Sequence, residues 1–149
     1  MAEDRDELLN HYRNSRTRLQ AAIEGLSDEE MSEPSLDGWS VKDHLFHIAL
    51  WDDIRASEVE RISAGYESGW NMTDENDEGL NESAYAMRRE LSAAQAKWEF
   101  ETSRRKLLDA IGSSTPRGLD GSLYGAAGLR SGHEDQHAEW LERWRNERG

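Results

Sequence analysis

The sequence predicts an all-α protein, a four-helix bundle with long crossover connections. Three observations carry this expectation. Only two valines occur in 149 residues, too few for a protein built on strands, where β-branched residues dominate. Apolar residues instead recur at steps of three and four along four separate segments. The segments between them are long and rich in glycine, serine and acids, which permits crossovers rather than forcing an up-down-up-down order.

The first helix is expected over about residues 4–26, where Leu8, Tyr12, Leu19, Ile23 and Leu26 make one stripe. A connection containing Pro34 follows, to Asp37-Gly38. Ser40 and Asp43 then form a variant of the capping box, and Val41, Leu45, Ile48, Val59 and Ile62 line one face to about Ala64. Residues 65–79 hold three glycines and five acids, and no base occurs between Arg61 and Arg88; this segment is expected to be a loop. Tyr66, Trp70 and Met72 would be left in water there, so the loop is a candidate cover for a site. The third helix is expected over 80–111, with Ala84, Met87, Leu91, Ala94, Trp98, Arg105 and Leu108 inward, widened by Leu107 and Ile111. A polar break falls near Glu101-Thr102, and Gly112 is a natural stop. Residues 112–128 are again loop, and a fourth helix starts near Leu129 with His133, His137, Trp140, Leu141 and Trp144 on its inner stripe.

Composition pulls the other way. Leu, Ile, Val and Phe number 24, about 16% of the chain, and the net charge is −13, a pairing typical of disordered chains. Six Trp and four Tyr oppose that reading. A folded chain of this kind needs a core of aromatics and alanine, with Trp51, Trp98, Trp140 and Trp144 inward. At 17.0 kDa the expectation is a single domain over 1–149. No apolar run approaches the roughly 20 residues of a membrane span. The charged start lacks an apolar signal core, which points to the cytoplasm. An isoelectric point near 4.8 argues against nucleic acid as a partner. With no cysteine, thiolate ligands and cysteine nucleophiles are excluded.

The chemistry concentrates in histidines. His133 and His137 are four apart, on one helix face, where two imidazoles can share a metal ion. Spacing alone leaves open two solvated histidines. The pair shares a stripe with Trp140 and Trp144, however, and buried imidazoles need partners for both nitrogens. His47 sits at the edge of the second helix's apolar arc, in line with Trp51 and Ile54. A third inward imidazole would complete a three-histidine set with open coordination positions, as in catalytic metal sites. His44, one turn earlier, could be an outer partner, although a partly exposed residue near the cap is the plainer reading. His11 lies off its helix's stripe and is read as surface. Asp43, Glu58, Glu134 and Asp135 could orient a ligand or accept a proton; ordinary solvated acids are the plainer reading, and no catalytic residue is assigned.

Two motifs carry a family resemblance. Gly38-Trp39-Ser40-Val41-Lys42-Asp43-His44-Leu45-Phe46-His47, with Trp51-Asp52 after it, resembles the opening of the second helix in the DinB-like (YfiT-like) superfamily of metalloenzymes. Gly132-His133-Glu134-Asp135-Gln136-His137 resembles that superfamily's histidine pair on the last helix. Gly69-Trp70-Asn71 and Asn81 look most like its ClbS/DfsB-like branch, whose members protect a cell from a reactive toxin. The resemblance implies a four-helix bundle with His47, His133 and His137 as ligands to a divalent metal, zinc or nickel. It also implies activation of water or of a small-molecule thiol against a small electrophile, as in a hydrolase or thiol S-transferase. A homodimer is a further implication. The alternatives are a non-catalytic bundle that binds or sequesters metal or ligand, and a helical interaction domain.

Overall fold

The computed structural model describes residues 2–35, 37–70 and 74–148, with the backbone only for residues 74 and 75. Asn71 and Met72, invoked above, lie outside the described residues. Among these residues there are six α-helices and no strand: α1 (Arg5–Ile23), α2 (Asp28–Met31), α3 (Val41–Ser63), α4 (Asp74–Arg88), α5 (Ala93–Gly112) and α6 (His133–Glu147). Two short 3₁₀ turns, Arg117–Leu119 and Gly121–Leu123, lie in the last connection.

The helix starts are set by side chains that satisfy otherwise orphaned amides. Asp4 accepts from the Glu7 amide at 3.0 Å at the head of α1. At α3 the expected box forms: Ser40 Oγ accepts from the Asp43 amide at 3.2 Å, and Asp43 Oδ2 from the Ser40 amide at 3.0 Å. A second box, Ser27 with Glu30, starts the four-residue α2 inside the first connection.

The expected third helix is two helices. Asp74–Arg88 is already helical, so residues 74–79 are not loop. The chain then turns through Arg89-Glu90-Leu91 and restarts where Ser92 Oγ accepts from the Gln95 amide at 3.1 Å. A serine that caps a new helix competes with continuation of the old one, and here the cap prevails. The restart also selects a different face. α5 buries Ala93, Ala96, Phe100, Leu107, Ala110 and Ile111, whereas Trp98 is 61% exposed, Leu91 39% and Met87 75%. The placement of Met87, Leu91, Ala94, Trp98 and Arg105 on the inward face is therefore corrected. Likewise α6 begins at His133, four residues later than expected.

The core has two apolar clusters. Leu19, Met31, Val41, Leu45, Phe46, Ala96, Phe100, Leu141 and Trp144 form one. Leu8, Tyr12, Val59, Leu107, Ile111, Leu119 and Leu129 form the other. Between them along α1, α3 and α5 come Arg16, Asp52 and Arg104, all buried. The last connection is pinned rather than loose: the Tyr124 hydroxyl donates to the Gly118 carbonyl at 2.6 Å, and Leu119 and Leu129 are buried in the second cluster.

Candidate metal centre

α3 and α6 bring their histidines together. His47 Nε2 lies 3.1 Å from His133 Nε2, and His137 Nε2 lies 3.0 Å from the same atom. One ligand atom from each of the three falls within 4.8 Å of the others. Around one tetrahedral ion with bonds of about 2.0–2.1 Å, ligand nitrogens stand about 3.3 Å apart. The donor set fits such an ion. His133 Nε2 offers a single proton or a single lone pair to two neighbours, so hydrogen bonding alone cannot satisfy both contacts. A cation accepted by three lone pairs satisfies them all.

Electrostatics keep these rings neutral. Burial, then the His133 and His44 rings, lowers His47 to about 3. Burial and then the Arg55 guanidinium lower His133 to about 4. Burial, followed by the His133 ring, lowers His137 to about 2. Metal ligation requires neutral imidazole, and at pH 7 all three are in that form.

The neighbours are less like the sequence expectation. His44 is 2% exposed, not partly exposed, with Nδ1 at 2.6 Å from His137 Nδ1 and Nε2 against Asp37. Burial would raise the Asp37 carboxyl, but contacts from His44, Ser35 and the Trp39 amide outweigh it and hold it at about 2. His11 is half-buried rather than on the surface, its Nε2 at 2.6 Å from the Ser131 carbonyl oxygen. Beside it the Tyr12 hydroxyl donates to the Leu129 carbonyl and accepts from the Ser131 amide, so α1 clamps the turn that aims His133. That clamp left no trace in the stripe pattern, because Tyr12 reads there as an ordinary core aromatic.

The acids are also corrected. Glu134 is 5% exposed and accepts from Arg16 Nε at 2.7 Å and from Arg104 Nη2. Asp52 accepts from Arg104 Nε at 3.0 Å and Arg16 Nη2 at 3.3 Å. Asp43 is spent on the α3 cap, and Glu58, 1% exposed, binds Arg61, Ser68 and the Gly69 amide. Asp135 remains half-buried on α6. In the suggested cover, Tyr66 is 69% exposed, while Trp70 is half-buried and meets Trp51 edge-on at 5.9 Å.

An open cleft of about 210 Å³ is lined by Asp37, His44, His133, Gln136, His137 and Trp140. On the other side of His47, Trp39 stacks on Tyr85 of α4 with ring centres 5.2 Å apart, closing that flank with an aromatic pair.

Comparison with known proteins agrees with this architecture. No curated protein matches the chain. A crystal structure described as an uncharacterised protein from Escherichia coli UTI89 has a similar fold, with a TM-score of 0.76 at 16% identity, covering 97% of this chain and 94% of that one. The sequence itself matches the DinB superfamily over residues 11–141. With that match running from α1 into α6, across both histidine motifs, the chain belongs to the DinB superfamily.

Proposed function

We propose that His47, His133 and His137 hold a divalent metal ion, zinc or nickel, and that the protein uses it on a small electrophilic substrate entering through the cleft. The observation that carries this reading is the convergence of three neutral imidazole Nε2 atoms, two of them on residues that line the cleft. Bound there, the ion supplies Lewis acidity, enough to bring the ionisation of water or of a thiol toward neutral pH. The chain has no cysteine, so a thiol route takes its thiol from a small molecule. The protein's own contribution is positional. α3 and α6 fix the imidazoles, Trp140 and Gln136 shape the cleft wall, and the buried Glu134 anchors α6 rather than moving protons.

The test begins with elemental analysis of protein purified without a histidine tag or nickel resin. About one equivalent of metal is expected, falling below about a tenth in H47A/H133A/H137A. Equal metal content in wild type and triple variant would refute the site. A screen of electrophiles and hydrolysable esters and amides, with and without added thiols, then separates turnover from binding. Full metal occupancy with no turnover in any arm favours the sequestering bundle.

A further inference from the structure

We propose that Asp37 and His44 are positioning residues for the metal centre: the Asp37 carboxylate, acting through His44, fixes His137 as the tautomer that presents its Nε2 lone pair to the metal. This rests on the three-histidine reading above and extends it to two residues outside the ligand set.

His44 is 2% exposed, so both its ring nitrogens need partners from the protein. One partner is Asp37, whose Oδ1 and Oδ2 lie 3.3 and 3.2 Å from His44 Nε2. The other is His137 Nδ1, 2.6 Å from His44 Nδ1. Asp37 is itself held in place: Ser35 Oγ donates to its Oδ1 at 2.8 Å and the Trp39 amide at 3.0 Å. A carboxylate only accepts, so His44 Nε2 carries the proton. A neutral imidazole has one proton, so His44 Nδ1 is the acceptor. His137 Nδ1 must then donate, which leaves His137 Nε2 as a lone pair, and that is the atom 3.0 Å from His133 Nε2.

His44 is not a fourth ligand, since both its nitrogens are engaged. The loop before α3 is also part of the centre. Gly38, at φ +87°, lets the chain fold back so that the Trp39 amide reaches Asp37 and the Trp39 carbonyl accepts from the Ser35 amide at 2.8 Å. A hydrogen-bonded outer partner of a metal-ligating histidine is commonly worth about 10–100-fold in metal affinity.

The experiment measures zinc affinity by competition with a chromophoric chelator, for wild type, Asp37→Asn and His44→Gln. It is paired with ¹⁵N–¹H spectra of the histidine side chains of zinc-loaded wild type. Asp37 is at the lip of the cleft, so Asp37→Asn opens no core cavity even if His44→Gln fails to fold. We expect zinc to bind about 10–100-fold more weakly in Asp37→Asn, at unchanged helical content. We also expect the wild-type spectra to show His137 protonated at Nδ1 and His44 at Nε2. Zinc affinity of Asp37→Asn within twofold of wild type overturns the relay, as does zinc on His137 Nδ1 or on either nitrogen of His44. If wild type binds no zinc or other divalent ion, the metal reading falls and takes this one with it; tight wild-type binding indifferent to Asp37 fells the relay alone.

Discussion

A histidine buried as a neutral ring makes folding sensitive to acid, and three of them in one place make the sensitivity measurable. The unfolded chain titrates these rings near 6.5, whereas in the folded chain they titrate between about 2 and about 4. Below pH 6.5 the unfolded state takes up protons that the folded state refuses, so metal-free protein loses stability as pH falls from about 6.5 to about 4. The slope is at most about 1.4 kcal/mol per pH unit for each ring. Urea titrations of metal-stripped protein at pH 7.5 and 5 should show the loss, and H47Q/H133Q/H137Q should flatten it; equal slopes in the two proteins would reject this origin. At this scale the sequence showed the spacing of His133 and His137 and the register of His47, because helical periodicity states which side chains share a face. It raised His44 as an outer partner but favoured a partly exposed residue near the cap. A residue three before His47 lies one turn away on the same side of the helix, but what makes it a partner is Asp37, reached through a loop whose course no periodicity encodes.

Helices are tied to one another here by charge as well as by apolar packing. Arg16 of α1, Asp52 of α3, Arg104 of α5 and Glu134 of α6 form one buried network, closed on its apolar side by Arg16 over the Phe100 ring at 3.4 Å. Glu134 follows His133 directly, so the network sets the depth and rotation of the helix that carries two of the three imidazoles. Removing one partner of a buried, hydrogen-bonded pair leaves the others charged and uncompensated, at a cost of roughly 3–5 kcal/mol. Glu134→Ala, which leaves Arg16 and Arg104 to share the Asp52 carboxylate alone, is expected to lose that much in urea or guanidinium unfolding. A loss under about 1 kcal/mol would mean that solvent reaches the network. The same elements show why a stripe is an incomplete guide. Met87, Leu91, Ala94 and Trp98 keep a three–four spacing straight through the turn between α4 and α5, so the pattern is continuous where the helix is not. Ser92 held the information, since a serine three residues before Gln95 is a cap signal, but a long apolar stripe outweighs one serine in any reading by period.

At the scale of the whole molecule, the composition that suggests disorder is reconciled by where the charges lie. Arg16, Arg55, Arg104, Asp52 and Glu134 occupy interior volume that aliphatic side chains fill in other proteins, with their stems and the Phe100 and Tyr12 rings packed together. Such an interior gains less from apolar burial than an aliphatic one and depends more on cross-links between distant segments. The candidate metal site is one such cross-link, because His47 comes from α3 and the other two ligands from α6, and only the folded chain brings all three together. Ligand that binds only the folded state stabilises it by RT ln(1 + [L]/Kd), about 2.7 kcal/mol at one hundred times Kd. For a chain of this length each kcal/mol raises the midpoint by about 2–4 °C. Zinc at that excess should therefore raise the calorimetric midpoint of metal-stripped wild type by roughly 5–10 °C. The His133–His137 pair survives unfolding as a weak chelator, which places the observed shift toward the lower end of that range. A chelator should reverse the rise, and H47A/H133A/H137A should show none; a rise that persisted in the triple variant would locate the stabilising metal elsewhere on this acidic surface.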